Sequence, residues 1–460
     1  MDVLLLFHGV IRNHYRTMPA PPASSSLASA DPLRVLVASH SHPELTSGGA
    51  EIAAFELYTR LNADPRFEAW FLGCDRSGRD DRAGAVFSQP FSEREFLYQT
   101  GAFDWQKFAN QDPRFPEEFT ALLRELRPDV VHFHHYINFG VEAFAHVRRV
   151  LPQCRIFLTL HEYLAICNHY GQMVTTSNDG LCYRASPLRC HRCFPQLSGA
   201  DFFLREMYIR RFLDLVDQFI SPSHFLAERY IAWGIPREKM QVIENVLPDP
   251  PSARLRPGTR EVLRVGFFGQ ISRLKGIDVV FQAAEMLEHE GCTGVTFEIF
   301  GDHRAQPEEF QKQFRERLAH LPGNLHLHGP YERERVTRLM QTVDVVLVPS
   351  VWWENSPLVI QEALRARRPL ICSDIGGMAE KVEEGVNGFL FPAGSSVELA
   401  QLLRQLAADP EQLRRIERTA AEKRFDDSPL QAHLRLYAEQ HSCHRTPPRP
   451  EGCKTAQVLP

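Results

Sequence analysis

The segment richest in usable chemistry is PSVWWENSPLVIQEA, from Pro349 to Ala363. It follows the strand candidate Val343–Val348, so it starts where a buried strand ends. That is the carboxyl edge of a sheet, where open α/β folds bind ligands. Ser356 is a good helix N-cap and Pro357 suits the first helical turn. The N–H groups of Leu358 and Val359 would then lie free at the positive end of a helix dipole, which makes a phosphate site. Glu354 and Asn355 precede the cap, and Glu362 sits six residues into the helix. Two carboxylates flanking one anion position are well placed to hydrogen-bond hydroxyls of sugars. A capped helix with solvated glutamates is the plainer reading of the cap alone, but the full string is more specific.

Two glycine loops repeat the strand-to-helix theme. In Gly269-Gln270-Ile271-Ser272-Arg273-Leu274-Lys275-Gly276, a glycine turn and one ammonium can approach a diphosphate. In Thr46-Ser47-Gly48-Gly49-Ala50-Glu51, two glycines let a ligand or a facing domain come close to the backbone. Either loop can also be no more than a tight turn. The G-x-G-x-x-G fingerprint, the P-loop and the G-x-S-x-G elbow are all absent, so oxidoreductase, NTPase and serine-hydrolase readings lose their usual anchors.

His132, His134 and His135 tempt a metal reading, but with no carboxylate partner evident they read as structural or cleft-lining. Cys167, Cys182, Cys190 and Cys193 crowd one irregular stretch and include a C-x-x-C pair. Four such thiolates can bind zinc tetrahedrally; reduced structural thiols and disulfides are the alternatives.

These groups need elements to hold them. The chain has 460 residues, 43% of them hydrophobic, enough for two or three domains. A net charge of -5 gives no global attraction to nucleic acid. No apolar run nears the ~18 residues that span a bilayer, and the run Val3–Phe7 is too short for a signal-peptide core. With no Asn-x-Ser/Thr acceptor, the cytosol is the expected compartment, with the ten cysteines mostly thiols. Residues 17–32 are Pro/Ala/Ser-rich, so 1–32 reads as a disordered leader.

An N-terminal α/β domain is expected over 33–247. Its strand candidates are Leu33–Ala38, Ala69–Gly73, Asp129–His134, Arg155–Leu160 and Gln218–Ser221, and its helix candidates include 50–61, 116–126 and 140–150. A linker with four prolines covers 248–260. The pattern restarts at Leu263 for a second domain over 261–427, with strands at Val295–Phe300, Asn324–His328, Val343–Val348 and Leu370–Ser373. Alternating strands and helices imply parallel sheets, and two such units imply a cleft between them. A last helix is expected within 428–442 and a disordered tail over 443–460. Phe202 to Arg211 is an apolar and basic helix that could touch lipid headgroups or a lipid-linked acceptor at the inner face of a membrane; a core-facing helix with a solvated edge is the ordinary alternative.

In this order the pieces resemble the retaining GT-B glycosyltransferases of family 4 (group 1), over roughly Leu33 to Gln440. The most specific motif is the glutamate pair of WENSPLVIQEAL, and Pro369–Glu380 and Gly385–Phe391 also match the family's usual run. The resemblance implies two Rossmann-like domains facing across a cleft, the N-terminal one (33–247) on the acceptor side and the C-terminal one (261–427) binding a nucleotide-diphosphate-sugar donor, with a carbohydrate or lipid-linked acceptor in glycan, polysaccharide or glycolipid biosynthesis. By the same resemblance Glu354 contacts the donor sugar, Glu362 holds the ribose and Lys275 neutralises the diphosphate. Gly48 and Gly49 face the phosphates, Gly301, Gly329 and Tyr331 line the base pocket, and the last helix crosses back onto the first domain. Thr159-Leu160-His161-Glu162-Tyr163 resembles the family's His-Asp-Tyr element, so His161 would meet the donor sugar near the reacting carbon. With no Asp-based metal motif, no divalent cation is expected to be required. Two departures stand out: Glu162 replaces the usual Asp, and Gln270 stands where many relatives have Arg, with Arg273 as a substitute charge at a different spacing. A nucleotide-sugar epimerase or hydrolase, or a sugar-nucleotide-binding protein without turnover, are the competing readings.

Overall fold

The computed structural model describes residues 31–46, 48–77, 85–248, 261–422 and 428–444. The leader up to residue 30, the linker beyond Pro248, Ser47 and the tail after His444 lie outside the described residues.

The first half forms an eight-stranded sheet from β1 (Leu33–Ala38), β2 (Phe67–Asp75), β3 (Phe87–Ser88), β4 (Glu95–Gln99), β7 (Val130–Phe133), β8 (Arg155–Thr159), β9 (Gln218–Ser221) and β10 (Met240–Val242); β5 (Phe103–Asp104) and β6 (Ala109–Asn110) pair apart from it. Its order is β10-β9-β8-β7-β1-β2-β4-β3, parallel except at β3. The second half forms a parallel sheet from β11 (Leu263–Gln270), β12 (Val295–Asp302), β13 (Leu325–Gly329), β14 (Val345–Val348), β15 (Leu370–Ser373) and β16 (Gly388–Phe391), in the order β13-β12-β11-β14-β15-β16.

Alternation along the strands explains their near-continuous apolar character. Val35 and Val37 of β1 enter one core cluster, whereas Leu36 and Ala38 enter another. In the second sheet Val345 and Leu347 face one cluster, Val346 and Val348 the other. Successive side chains point to opposite faces, and both faces are covered, so no polar alternation is tolerated.

The helices that follow the strands are α1 (Gly49–Asn62), α2 (Phe115–Leu126), α3 (Ala143–Val150), α4 (Pro187–Cys193), α5 (Gly199–Leu213) and α6 (His224–Trp233) in the first half. In the second they are α7 (Ile277–His289), α8 (Glu308–Leu318), α9 (Val336–Met340), α10 (Leu358–Arg365), α11 (Gly376–Ala379), α12 (Ser396–Ala408) and α13 (Glu411–Glu422), with α14 (Ser428–His444) last. Although α14 is last in sequence, its Leu430, Leu434 and Tyr437 are buried among Val35, Phe67, Phe157 and Ile220 of the first sheet. Among the described residues no helix is long and apolar enough to cross a membrane.

The halves are also stitched directly. Trp353 lies in the first half's core, and its Nε1 donates to the Cys182 carbonyl (3.2 Å). Lys381 Nζ donates to the Pro222 carbonyl (2.8 Å), and Glu380 accepts the His224 N–H (2.8 Å) at the start of α6.

Candidate active site

Between the halves lies a cavity of about 1070 Å³ lined by the carboxyl ends of both sheets. In each sheet this is the switch point: β1 runs between β7 and β2, and β11 runs between β14 and β12. Two helix N-termini meet there. Gly48, Gly49 and Ala50 open α1 on one wall, and Pro357, Leu358 and Val359 open α10 on the other. A Cβ on Gly49 would stand 3.4 Å from the Leu358 side chain, so the two helix tips nearly touch. First-turn N–H groups have no intrahelical acceptor, and two positive ends converging on one space favour an anion.

The cap differs from the sequence expectation. Pro357, not Ser356, is the N-cap of α10, with extended backbone. Ser356 Oγ instead donates to Glu244 Oε1 across the cleft (2.7 Å). The pull of that partner in the opposite half is invisible in local sequence.

Glu354 is buried and its Oε1 accepts three bonds: from Lys275 Nζ (2.5 Å), Ser350 Oγ (2.9 Å) and Trp352 Nε1 (2.9 Å). Lys275 reaches it because Gly276, at φ +78°, lets the loop slide under Pro349; a Cβ there would fall 1.9 Å from the Pro349 carbonyl oxygen. The ammonium is thus tied to a carboxylate rather than standing alone towards a diphosphate. Gly377 closes the other side of the loop, its N–H donating to the Glu354 carbonyl (2.7 Å). Glu362, on the first turns of α10, lies 3.5 Å from Arg333 Nη2. Burial pushes its carboxyl pKa up, against the opposing pull of Arg333 and Arg365.

His161 enters from the first half. Its Nε2 pairs with His134 Nδ1 (3.1 Å), which leaves Nδ1 for the cavity. Burial lowers its pKa to about 4, with Glu162 opposing, so the ring is neutral at ordinary pH. Asn355 Nδ2 donates to the His161 carbonyl, which ties this strand end to the α10 loop. His135 Nε2 lies 3.2 Å from Glu162 Oε1, so the histidine read as lacking a carboxylate has one, 27 positions away. Likewise His40 Nε2 lies 3.2 Å from Glu51 Oε1. Burial raises the Glu51 and Glu162 carboxyls, but their histidine partners outweigh it and hold both below the ordinary value.

Of the residues singled out in the sequence, Gly48, Gly49, His161, Gly269, Gln270, Lys275, Gly301, Tyr331, Glu354, Asn355, Ser356, Pro357, Leu358, Val359 and Glu362 all line this cavity. Gly329 does not; the neighbouring Pro330 and Tyr331 do. Arg273 does not either: it turns to Gln313 Oε1 and lines a second cavity. Sequence reasoning passed over His40, Ser350 and Arg333. His40 and Ser350 each stand two residues beyond a strand end, a position that could have flagged them.

The zinc expectation is not met. Cys167, Cys182, Cys190 and Cys193 are half-buried free thiols, and among the described residues no group of three or more His, Cys, Asp or Glu could hold a metal ion. Burial raises the Cys167 thiol to about 11 and raises Cys190 as well.

Comparison with known proteins agrees with this geometry. Residues 47–248 match the model of Glycosyltransferase Family 4, and residues 258–423 that of Glycosyl transferases group 1. The chain belongs to the family 4, group 1 glycosyltransferases. Among curated members it is 28% identical over 196 residues to the amylovoran biosynthesis glycosyltransferase AmsK of Erwinia amylovora, covering 40% of this chain and 46% of that one. It is 32% identical over 205 residues to a D-inositol 3-phosphate glycosyltransferase of Xylanimonas cellulosilytica, covering 42% and 48%. The chain therefore spans about half the length of these curated family members. The solved structure of Anabaena HepE in complex with UDP and glucose superposes with a TM-score of 0.60 at 18% identity, over 88% of this chain and 99% of that one. Sucrose-phosphate synthase from Thermosynechococcus elongatus gives 0.60 at 16% identity, over 90% and 98%. The fold is the family's GT-B fold, two Rossmann-like domains facing across a cleft.

Proposed function

We propose that this chain is a retaining glycosyltransferase that moves a sugar from a nucleotide-diphosphate sugar to an acceptor hydroxyl, in glycan, polysaccharide or glycolipid biosynthesis. The observation that carries the proposal is the cavity at the tip of α10, flanked by Glu354 and Glu362 and faced by the tip of α1. In this reading the diphosphate sits between the two helix tips, whose N–H groups stabilise charge as the leaving group departs. Glu362 takes the ribose, Gly301 and Tyr331 border the base, and Glu354 grips the sugar with Lys275 holding that carboxylate in place. Neutral His161 offers Nδ1 near the reacting carbon. The glycosyltransferase activity of the related AmsK and D-inositol 3-phosphate glycosyltransferase, and UDP bound to Anabaena HepE, support a sugar-nucleotide donor.

A thermal-shift screen against UDP-, GDP- and ADP-sugars tests the donor site. The wild type should be stabilised by at least one sugar nucleotide and Glu362→Ala by none or by far less. No stabilisation of the wild type by any of them removes the reading. One observation favours a sugar-nucleotide-binding protein without turnover: Gln270 lines the cavity uncharged while Arg273 turns away. Product analysis with and without acceptor separates transfer, epimerisation or hydrolysis, and binding alone.

Peripheral membrane contact belongs to the same proposal. Helix α5 buries Phe202, Ile209 and Leu213 but leaves Phe203, Leu204 and Met207 more than half exposed, near Arg211. That face supports a lipid surface or a lipid-linked acceptor.

A further inference from the structure

A second cavity of about 480 Å³ adjoins the first and shares Gln270 and Lys275 with it. Its size falls within the roughly 300–1,000 Å³ of small-molecule sites. Gln172 reaches it from the first half, and Arg273, Gln306, Phe310 and Trp352 come from the second. The shared wall is the informative part. Lys275 and Trp352 both donate to Glu354 Oε1, the carboxylate assigned above to the donor sugar. The second cavity therefore begins where the sugar end of the first one stops.

Its chemistry points to one ligand class. The side-chain amides of Gln172, Gln270 and Gln306 make no hydrogen bond to any described residue, and each carries two donors and an acceptor. Trp352 and Phe310 add aromatic surface. The charges offset one another: Lys275 Nζ is bound to Glu354, and Arg273, whose hydrogen bond goes to the neutral amide of Gln313, shares the wall with the carboxylate of Glu309. Idle amides beside aromatic rings, in a wall that carries one cation and one carboxylate, suit a pyranose, whose hydroxyls want both donors and acceptors and whose C–H faces pack on rings. A phosphate or carboxylate would want more than one free cation and no carboxylate such as Glu309 beside it.

We propose that this second cavity is the acceptor subsite and that it takes a neutral saccharide, with the attacking hydroxyl directed past Lys275 and Trp352 into the donor cavity. The inference rests on the glycosyltransferase reading. It also gives Gln270 a use: in the wall between the cavities, an amide serves an acceptor hydroxyl where an arginine would draw an anion.

The test uses the full chain, with Gln306→Trp to fill the cavity and Gln172→Ala to strip one amide without adding bulk. The probes are methyl glycosides of glucose, galactose, mannose and N-acetylglucosamine, followed by saturation-transfer NMR in the presence of the nucleoside diphosphate whose sugar stabilises the wild type. At least one glycoside should bind the wild type. Gln306→Trp should abolish that binding, and Gln172→Ala should weaken it by about two- to tenfold, the range for a lost neutral hydrogen bond. Stabilisation by the sugar nucleotide should match the wild type in both variants. The inference is overturned if no glycoside binds the wild type, or if glycoside binding survives Gln306→Trp. It is equally overturned if either variant loses the sugar-nucleotide shift, which would make the second cavity part of the donor site. A wild type that no sugar nucleotide stabilises sinks the donor reading and this inference together, so the two failures are told apart.

Discussion

Acid should loosen α14 from the first sheet well before carboxylates titrate. His433 on α14 is buried, and desolvation takes its pKa from 6.5 to about 4. His132 beneath it is fully buried, bonded to Tyr437 OH and to Thr159 Oγ1, and burial also lowers its pKa well below the ordinary value. The two rings lie 6.1 Å apart, and His134 lies 4.5 Å from His132, so protonating one opposes the others. A histidine whose folded pKa is depressed binds fewer protons folded than released, so stability rises with pH between the two values. The contribution is complete above 6.5 and is lost as pH falls towards 4. For His433 alone the loss at pH 5 is about 2 kcal/mol, comparable with burying one of the α14 leucines at roughly 1.5–3 kcal/mol. His132 and His134 add in the same direction. Glu51 and Glu162, already held low, give up their share only in stronger acid, and Glu362, raised by burial, works the opposite way. Amide exchange across 430–437, corrected for intrinsic rate, should show protection falling between pH 7.5 and pH 5, and His433→Leu should recover about 2 kcal/mol of it. Protection that stays level over that range, or a His433→Leu profile that overlays the wild type, refutes the argument.

Three other outcomes follow from the site and its supports. Lys275→Met frees Glu354 from its cation and should cut kcat by roughly 10²–10³, the loss typical of a missing electrostatic donor, as measured by steady-state nucleotide release with acceptor. Gly377→Ala would put a Cβ 1.6 Å from the Asn355 carbonyl oxygen. It should cost on the order of 3 kcal/mol or more in urea titrations, whereas Gly294→Ala, with only an ordinary 3.6 Å contact, should stay within about 0.5 kcal/mol. Wild-type protein should co-sediment with phosphatidylglycerol vesicles and not with phosphatidylcholine vesicles, and the combined change Phe203→Ser, Leu204→Ser and Met207→Ser should abolish it; equal binding to both lipids counts against the α5 surface.

What the sequence displayed well was whatever is local and periodic. Runs such as Val345–Val348 and Leu33–Ala38 announced buried parallel strands because both faces of each sheet are covered. The loop between β14 and α10 could be placed because a strand end, a proline and two glutamates fall within one short stretch. Two-residue strands such as β3 have too few side chains to show a period, and they stayed hidden. Hidden too were pairings set by the tertiary fold: Glu162 with His135, Glu362 with Arg333 and Ser356 with Glu244. Arg273 shows the limit most plainly. Its neighbour Lys275 turns inward to Glu354 while Arg273 turns outward to Gln313, and composition cannot tell those directions apart.

Trp353 rides on the second half yet is plugged into the first, packed near Phe225 and Tyr183 with its indole N–H held by a carbonyl. Separating the halves would have to draw that ring out of a packed apolar seat and break its hydrogen bond, together with the Lys381 and Glu380 contacts to the first half. That ring, one of five tryptophans in the chain, is 5% exposed, so its transfer to water on separation would shift its own indole emission to the red.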